Sequence, residues 1–211
     1  NCLPNGHVFI TGMGEACPST LFVTRSPCTK SEHGRLLPTV TEKPEAMPDL
    51  EWNWLKTLPF GGIMFADPEH GMMSMPERIA DGDLDGDLYL ICWNQSIIEN
   101  MTNAVPMEEV PRPSDDALPA TDADTDWFEK ARAIMLDVKT EMEVGALVGK
   151  LYTAFDKVAK ERGISHPDAQ ALSTAYGSSL EFHKQGRPIR LPAHLKAKLP
   201  VRFHRHIAEI M

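Results

Sequence analysis

The chain is 211 residues long, enough for one or two domains with a sizeable core. Its make-up, 42% hydrophobic and 24% charged, is that of an ordinary globular protein, and no apolar run reaches the roughly 18 residues that a membrane-crossing helix needs. With 21 Lys and Arg against 30 Asp and Glu the formal net charge is −9, which excludes a simple basic module that coats nucleic acid.

The chain opens on Asn1 and runs almost at once into strand-like sequence, as expected of a piece of a longer polypeptide without a signal peptide. Residues 1–96 read as β-rich. His7–Thr11, Leu21–Thr24 and Leu88–Trp93 are short β-branched or aromatic runs, each bounded by Gly, Pro or Asp. The stretch 38–48, with Pro at 38, 44 and 48, predicts a long irregular crossing, and the first domain is expected to cover 1–102. Cys2, Cys17, Cys28 and Cys92 form no C-x-x-C pair and have no His at zinc-finger spacing, so they are expected to be mostly buried thiols of a reducing compartment.

Residues 103–126 hold seven acids against one Arg and no periodic apolar face, which predicts a linker or surface loop. Helices follow over 127–211. Asp126 and Glu129 make a capping-box-like start for a helix carrying Trp127, Ala131, Ile134, Met135, Val138 and Met142. A second helix is expected through Leu147, Leu151, Phe155 and Val158, stopping at Gly163. A third is expected to be capped by Ser165 with Pro167 in its first turn. The charge is split along this axis. Residues 1–149 carry 25 acidic and 10 basic residues, whereas 150–211 carry 5 and 11, with five His besides. His194, His204 and His206 have no ligand spacing and read as part of a solvated or RNA-facing surface.

The sharpest local feature is Asp81-Gly82-Asp83-Leu84-Asp85-Gly86-Asp87. Four carboxylates held so close repel one another unless a cation sits among them. One reading is a solvated Asp-Gly turn. A second is an EF-hand calcium loop, with Asp81, Asp83 and Asp85 at positions 1, 3 and 5. It fails at position 12, which is Cys92 where a bidentate Glu is needed, and a strand rather than a helix follows. The third is a magnesium site, in which Asp83, Asp85 and Asp87 aim oxygen ligands at one point and Gly86 permits the tight turn.

Asp83-Leu84-Asp85-Gly86-Asp87-Leu88-Tyr89 resembles the D-b-D-G-D signature of the eukaryotic cellular RNA-dependent RNA polymerases of the RNA-silencing type, and Trp93-Asn94 resembles the W-D that follows it. Upstream, Val23-Thr24-Arg25-Ser26-Pro27-Cys28 resembles the family's V-T-R-N-P-C, and Gly6–Ile10 the strand before it. Downstream, 145–156 and 180–186 resemble the family's G-x-x-x-N…A-D and V-D-F-x-K-x-G segments. Departures occur at Arg35, which stands where the family's H-P-G-D has its acid, and across the atypical stretch 61–80.

The resemblance implies an α+β fold, a double-psi β-barrel followed by a helical region, from the C-terminal part of the catalytic region. It implies that Asp83, Asp85 and Asp87 are the catalytic, metal-binding acids for Mg²⁺, with Mn²⁺ as substitute. Arg25 would face the nucleotide's ribose, and Lys184 would contact phosphate or RNA. The expected substrates are NTPs and an RNA template, in siRNA-producing RNA silencing, in cytoplasm or nucleus and without a membrane partner. The family's second barrel, which supplies basic residues, has no counterpart in these 211 residues. The isolated chain is therefore expected to depend on the rest of a polymerase chain or on a partner subunit. The alternative is a non-catalytic RNA- or protein-binding module derived from a divergent or truncated polymerase, and a third class is a calcium-binding structural domain.

Overall fold

In Thr20-Leu-Phe-Val-Thr-Arg25 the apolar residues at 21 and 23 share one face, the signature of a strand with one side on a core. The computed structural model of the protein describes residues 2–102, 138–182 and 191–199, together with 128, 132 and 189. The chain forms two compact units, Asn1–Ser114 and Asp115–Met211. Among the described residues no helix is long and apolar enough to cross a membrane.

The first unit mixes α and β, with two small antiparallel sheets. Strand β2 (Thr20–Arg25) lies between β3 (Gly34–Pro38) and β5 (Tyr89–Cys92), so the order is β3-β2-β5. The register sets Val23 opposite both Arg35 and Ile91, and Arg25 opposite Tyr89. The second sheet pairs β1 (Val8–Ile10) with β4 (Ile63–Phe65). A parallel bridge from Val8 to Thr39, and the Val40 N–H donating to the Val8 carbonyl at 2.8 Å, tie β1 to the chain just after β3.

Strand β1 is buried on both faces because two clusters meet across it. Val8 and Ile10 pack with Leu21, Val23, Leu37, Met75 and Ile79. Phe9 points the other way, into Val40, Met47, Trp52 and Leu55, and meets the Trp52 ring edge-on at 5.5 Å. Trp52 and Leu55 come from α1 (Asp49–Thr57). This helix was not expected inside the β-rich part. The prolines at 44 and 48 mask a three-residue apolar spacing that packing against Phe9 makes worthwhile. Helix α2 (Met75–Arg78) begins with a full capping box: the Ser74 side chain accepts from the Glu77 N–H, and the Glu77 carboxylate accepts from the Ser74 N–H at 2.7 Å. Asn94 caps α3 (Gln95–Ile98), its side-chain oxygen accepting from the Ser96 N–H at 3.1 Å.

The three expected strands appear within two residues of their sequence bounds. The thiols are free, but only Cys17 is buried. Cys28 is exposed and Cys2 and Cys92 are half-buried, which corrects the expectation of mostly buried thiols, because strand edges and loops rather than the core carry them.

In the second unit, α4 (Val138–Arg162) is one continuous helix. The expected break between Met142 and Leu147 does not occur. No proline or capping residue lies there, and Gly145 lowers helix propensity by only about 1 kcal/mol relative to Ala. Gly163, at φ +92°, ends α4 as expected. The cap of α5 (Pro167–Leu180) is His166 rather than Ser165, since Pro167 at the first helical position holds its predecessor extended; the His166 Nδ1 accepts from the Asp168 N–H at 3.1 Å. Leu151, Phe155 and Val158 pack on Ala169, Leu172, Ala175 and on Leu195 of α6 (Ala193–Lys196). The expected linker 103–126, the Asp126–Glu129 start, Trp127, Ala131, Ile134, Met135, Lys184, His204 and His206 lie outside the described residues.

Asp168 gathers the ends of these three helices. Its carboxylate accepts from His194 Nε2 at 3.0 Å, Lys198 Nζ at 3.3 Å and Arg162 Nη1 at 3.4 Å. The hydrogen bond from His194 first, with Lys198 after it, holds this carboxyl below the usual range. A depressed folded-state value contributes stability above the unfolded carboxyl range, and that stability is lost as pH falls through the folded value. Thermal midpoints measured from about pH 6 down to about pH 2.5 should therefore fall less steeply below about pH 4 for Asp168→Asn than for the wild type.

Candidate metal centre

The acidic loop starts where α2 runs out of hydrogen-bonded turns. Ile79 is fully buried and anchors its near end. The backbone then turns left-handed at Ala80 (φ 57°), Asp81 (φ 53°) and Leu84 (φ 63°), and again at Gly86 (φ 128°). Only the last, a glycine, takes this conformation freely, although aspartate tolerates it better than alanine or leucine. The other three cost about 1–3 kcal/mol each and persist only if their surroundings over-determine them.

Those surroundings are named groups. The Asp81 N–H reaches the Glu77 carbonyl at 3.2 Å and the Gly82 N–H reaches the Pro76 carbonyl at 2.9 Å. Arg25, the last residue of β2, donates from Nη1 to the Ala80 carbonyl at 2.6 Å and from Nε to Asp87 Oδ1 at 2.7 Å, with Nη2 at 2.5 Å from the same oxygen. The other Asp87 oxygen, Oδ2, accepts from the N–H groups of Asp83 at 3.0 Å and Leu84 at 3.2 Å. Burial pushes the Asp87 carboxyl up. The Leu84 N–H, the Arg25 guanidinium and the Asp83 N–H more than offset that and hold it below the usual carboxylate range.

Tyr89, across β2–β5 from Arg25, closes the other side. Its ring meets Phe65 edge-on at 5.1 Å, and its pKa is pushed up to about 12 by burial and then by the Asp87 charge. Gly82 is wedged beneath it. A Cβ there would collide with the Tyr89 hydroxyl and lie 3.0 Å from the Pro76 carbonyl and 3.1 Å from Asp87 Oδ2.

Asp83 and Asp85 stand exposed on the turn, while the Asp87 side chain is only 4% exposed. One carboxylate oxygen from each of the three lies within 4.8 Å of the others. The set is all oxygen, as a hard divalent cation requires. Oxygens on one octahedral Mg²⁺ stand about 3.0 Å apart when cis and about 4.2 Å apart when trans, so the cluster contracts by up to about 1.8 Å to share one ion. The residues fit a divalent metal. A cleft of ≈ 300 Å³ runs beside the loop, lined by Phe65, Pro68, Glu77, Gly82, Asp83 and Leu84.

Of the residues singled out in the sequence, Asp83, Asp85, Asp87 and Arg25 come together here, and Lys184 lies outside the described residues. Arg25 turns its guanidinium inward onto the loop. Arg35 is buried on β3; burial first, and the neighbouring Arg78 charge second, lower its pKa. Tyr89, Gly82 and the Ser74–Glu77 capping box were missed. The Ser-x-x-Glu spacing was the available signal for the last.

Comparison with known proteins bears on the same segment. The family model for RNA-dependent RNA polymerase matches residues 18–207. RNA-dependent RNA polymerase 1 of Arabidopsis thaliana is 26% identical over 131 residues, which are 62% of this chain and 11% of that protein. The probable RNA-dependent RNA polymerase 2 of Oryza sativa subsp. japonica is 26% identical over 180 residues, 83% of this chain and 14% of that one. Among solved structures, RNA dependent RNA polymerase QDE-1 from Thielavia terrestris matches with a TM-score of 0.57 at 20% identity, over 96% of this chain and 22% of that chain, a likeness of fold. The chain thus spans between about a tenth and a quarter of the length of each of these three proteins.

Because Gly82 has no room for a side chain, Gly82→Ala should push Tyr89 and Asp87 apart. The expected loss is about 1–3 kcal/mol of stability, read from the urea midpoint, with weakened divalent-metal binding alongside.

Proposed function

The chain belongs to the RNA-dependent RNA polymerase family, and from that premise we propose that it is the metal-carrying catalytic segment of such an enzyme. The reaction is template-directed nucleotidyl transfer. A bond forms between an RNA 3′-oxygen and the α-phosphorus of an NTP, the bond to pyrophosphate breaks, and the 3′-hydroxyl proton departs. The single observation that carries the reading is the convergence of three carboxylate oxygens on one loop within 4.8 Å.

In this reading Asp83, Asp85 and Asp87 hold Mg²⁺, with Mn²⁺ as substitute. When bound, the metal lowers the pKa of the attacking hydroxyl and neutralises charge on the leaving pyrophosphate. The chain's own part is to position. Tyr89, Gly82 and the α2 capping box fix the loop, so that the exposed Asp83 and Asp85 face incoming groups. Arg25 reads the ribose of the nucleotide with a planar guanidinium that favours a 2′-hydroxyl, and Lys184 contacts phosphate or RNA. The strands of 1–102 form a double-psi β-barrel, 103–126 connect it, and 127–211 form a helical region whose basic tail touches the RNA backbone. The remainder of a polymerase chain, or a partner subunit, supplies the second barrel. The setting is siRNA-producing RNA silencing in cytoplasm or nucleus.

The test is NTP incorporation on a single-stranded RNA template by the polymerase carrying this segment. Asp85→Ala should lower the rate by at least about 10³-fold, the several kcal/mol expected of charge stabilisation at the reacting phosphate, with RNA binding unchanged. A polymerase that incorporates equally well with Ala at 85 would sink the reading. No incorporation by the wild type, together with intact RNA or protein binding, would favour the non-catalytic module.

A further inference from the structure

The acid triad already contains a cation. We propose that Arg25 is a resident counter-ion that closes the triad when metal is absent, so that metal binding and the freeing of Arg25 for a nucleotide are one coupled event. This rests on the metal-site reading above and concerns how that site is loaded.

The hydrogen-bond inventory of Asp87 carries the inference. An ionised carboxylate offers about four lone-pair positions. Here Oδ1 takes Nε and Nη2 of Arg25, and Oδ2 takes the N–H groups of Asp83 and Leu84. Nothing is left over for a metal. Asp83 and Asp85 are exposed, whereas the Asp87 side chain is covered by a guanidinium. The third guanidinium nitrogen is engaged as well, on the Ala80 carbonyl, so Arg25 is held by all three of its nitrogens.

The two backbone donors on Oδ2 belong to the loop itself and can stay when a metal arrives. Of the four donors on Asp87, only the two of Arg25 belong to a side chain that can swing away. A metal drawing on all three carboxylates must therefore displace Arg25, and the displaced guanidinium then has its donors available for the nucleotide. An intramolecular competitor lowers apparent affinity by the fraction of molecules in the open form. If the closed form outweighs the open one about tenfold, removing the competitor tightens metal binding about tenfold.

The experiment is Mn²⁺ binding to the 211-residue chain without nucleotide, followed by the EPR signal of free Mn²⁺, for the wild type, Arg25→Ala, Arg25→Lys and Asp83→Asn. The expected result is about tenfold tighter binding for Arg25→Ala, a smaller gain for Arg25→Lys, and loss for Asp83→Asn. Unchanged or weaker binding by Arg25→Ala, with wild-type binding still abolished by Asp83→Asn, overturns the counter-ion and leaves the metal site standing. No binding by either the wild type or Arg25→Ala overturns both. Should Arg25→Ala fail to fold, the wild type is titrated with Mg²⁺ and its arginine Nε–H resonances are followed by NMR, with Arg25 assigned by its absence in Arg25→Lys. The Arg25 signal should shift and lose protection saturably with metal; a signal unmoved at saturation overturns the proposal.

Discussion

The ion pair between Arg25 and Asp87 joins residues 62 positions apart and holds the candidate site together. It connects the end of β2 to the end of the acidic loop, and through the Ala80 carbonyl it also grips the loop's beginning. Three non-glycine residues in left-handed conformations set the scale of what must be offset, about 1–3 kcal/mol each. Hydrogen bonds to charged groups contribute about 1.5–3 kcal/mol each. The three Arg25 contacts are therefore of the same order as the strain. The two backbone donors to Asp87 Oδ2, the Pro76 carbonyl accepting from Gly82, and the burial of Ile79 share the task.

Around that pair the framework is arranged to resist movement. Strand β1 has a cluster on each face, so neither sheet can shift without opening one of them. The capping box fixes α2, a helix too short to persist by its own propensity. The Phe65–Tyr89 contact bridges β4 and β5, which belong to different sheets. The outcome is a division of labour among like residues. The Asp87 side chain is covered and held by Arg25 and two backbone N–H groups, while Asp83 and Asp85, four and two positions away, are exposed. Environment, not residue type, separates them.

The helical unit obeys the same logic with one carboxylate. Asp168 draws the ends of α4, α5 and α6 together through Arg162, His194 and Lys198. Below it an apolar core centred on fully buried Leu151, Leu172 and Leu195 supplies the bulk of the stabilisation. The basic excess of residues 150–211 is thus in part structural, because Arg162 and Lys198 are engaged with Asp168.

The Asp-x-Asp-Gly-Asp spacing was readable as a cluster of carboxylates because alternate residues on a turn are necessarily neighbours, whatever the rest of the chain does. The β-branched runs at 8–10, 20–25 and 89–92 were readable as strands for a similarly local reason. Gly163 ended its helix as its backbone freedom predicts. Helix α1 was not readable, because its propensity is modest and Phe9, far away in sequence, makes it worth forming. Nor was the unbroken run of α4, where the local cost of a glycine is smaller than the packing on α5 and α6. Above all, no pattern in the sequence distinguishes Asp87 from Asp83 and Asp85. That distinction depends on the β2–β5 register, which sets Arg25 opposite Tyr89 and so brings its guanidinium onto the Asp87 carboxylate. Local spacing specifies which chemistry is available; long-range pairing specifies which of those groups is buried, neutralised and held.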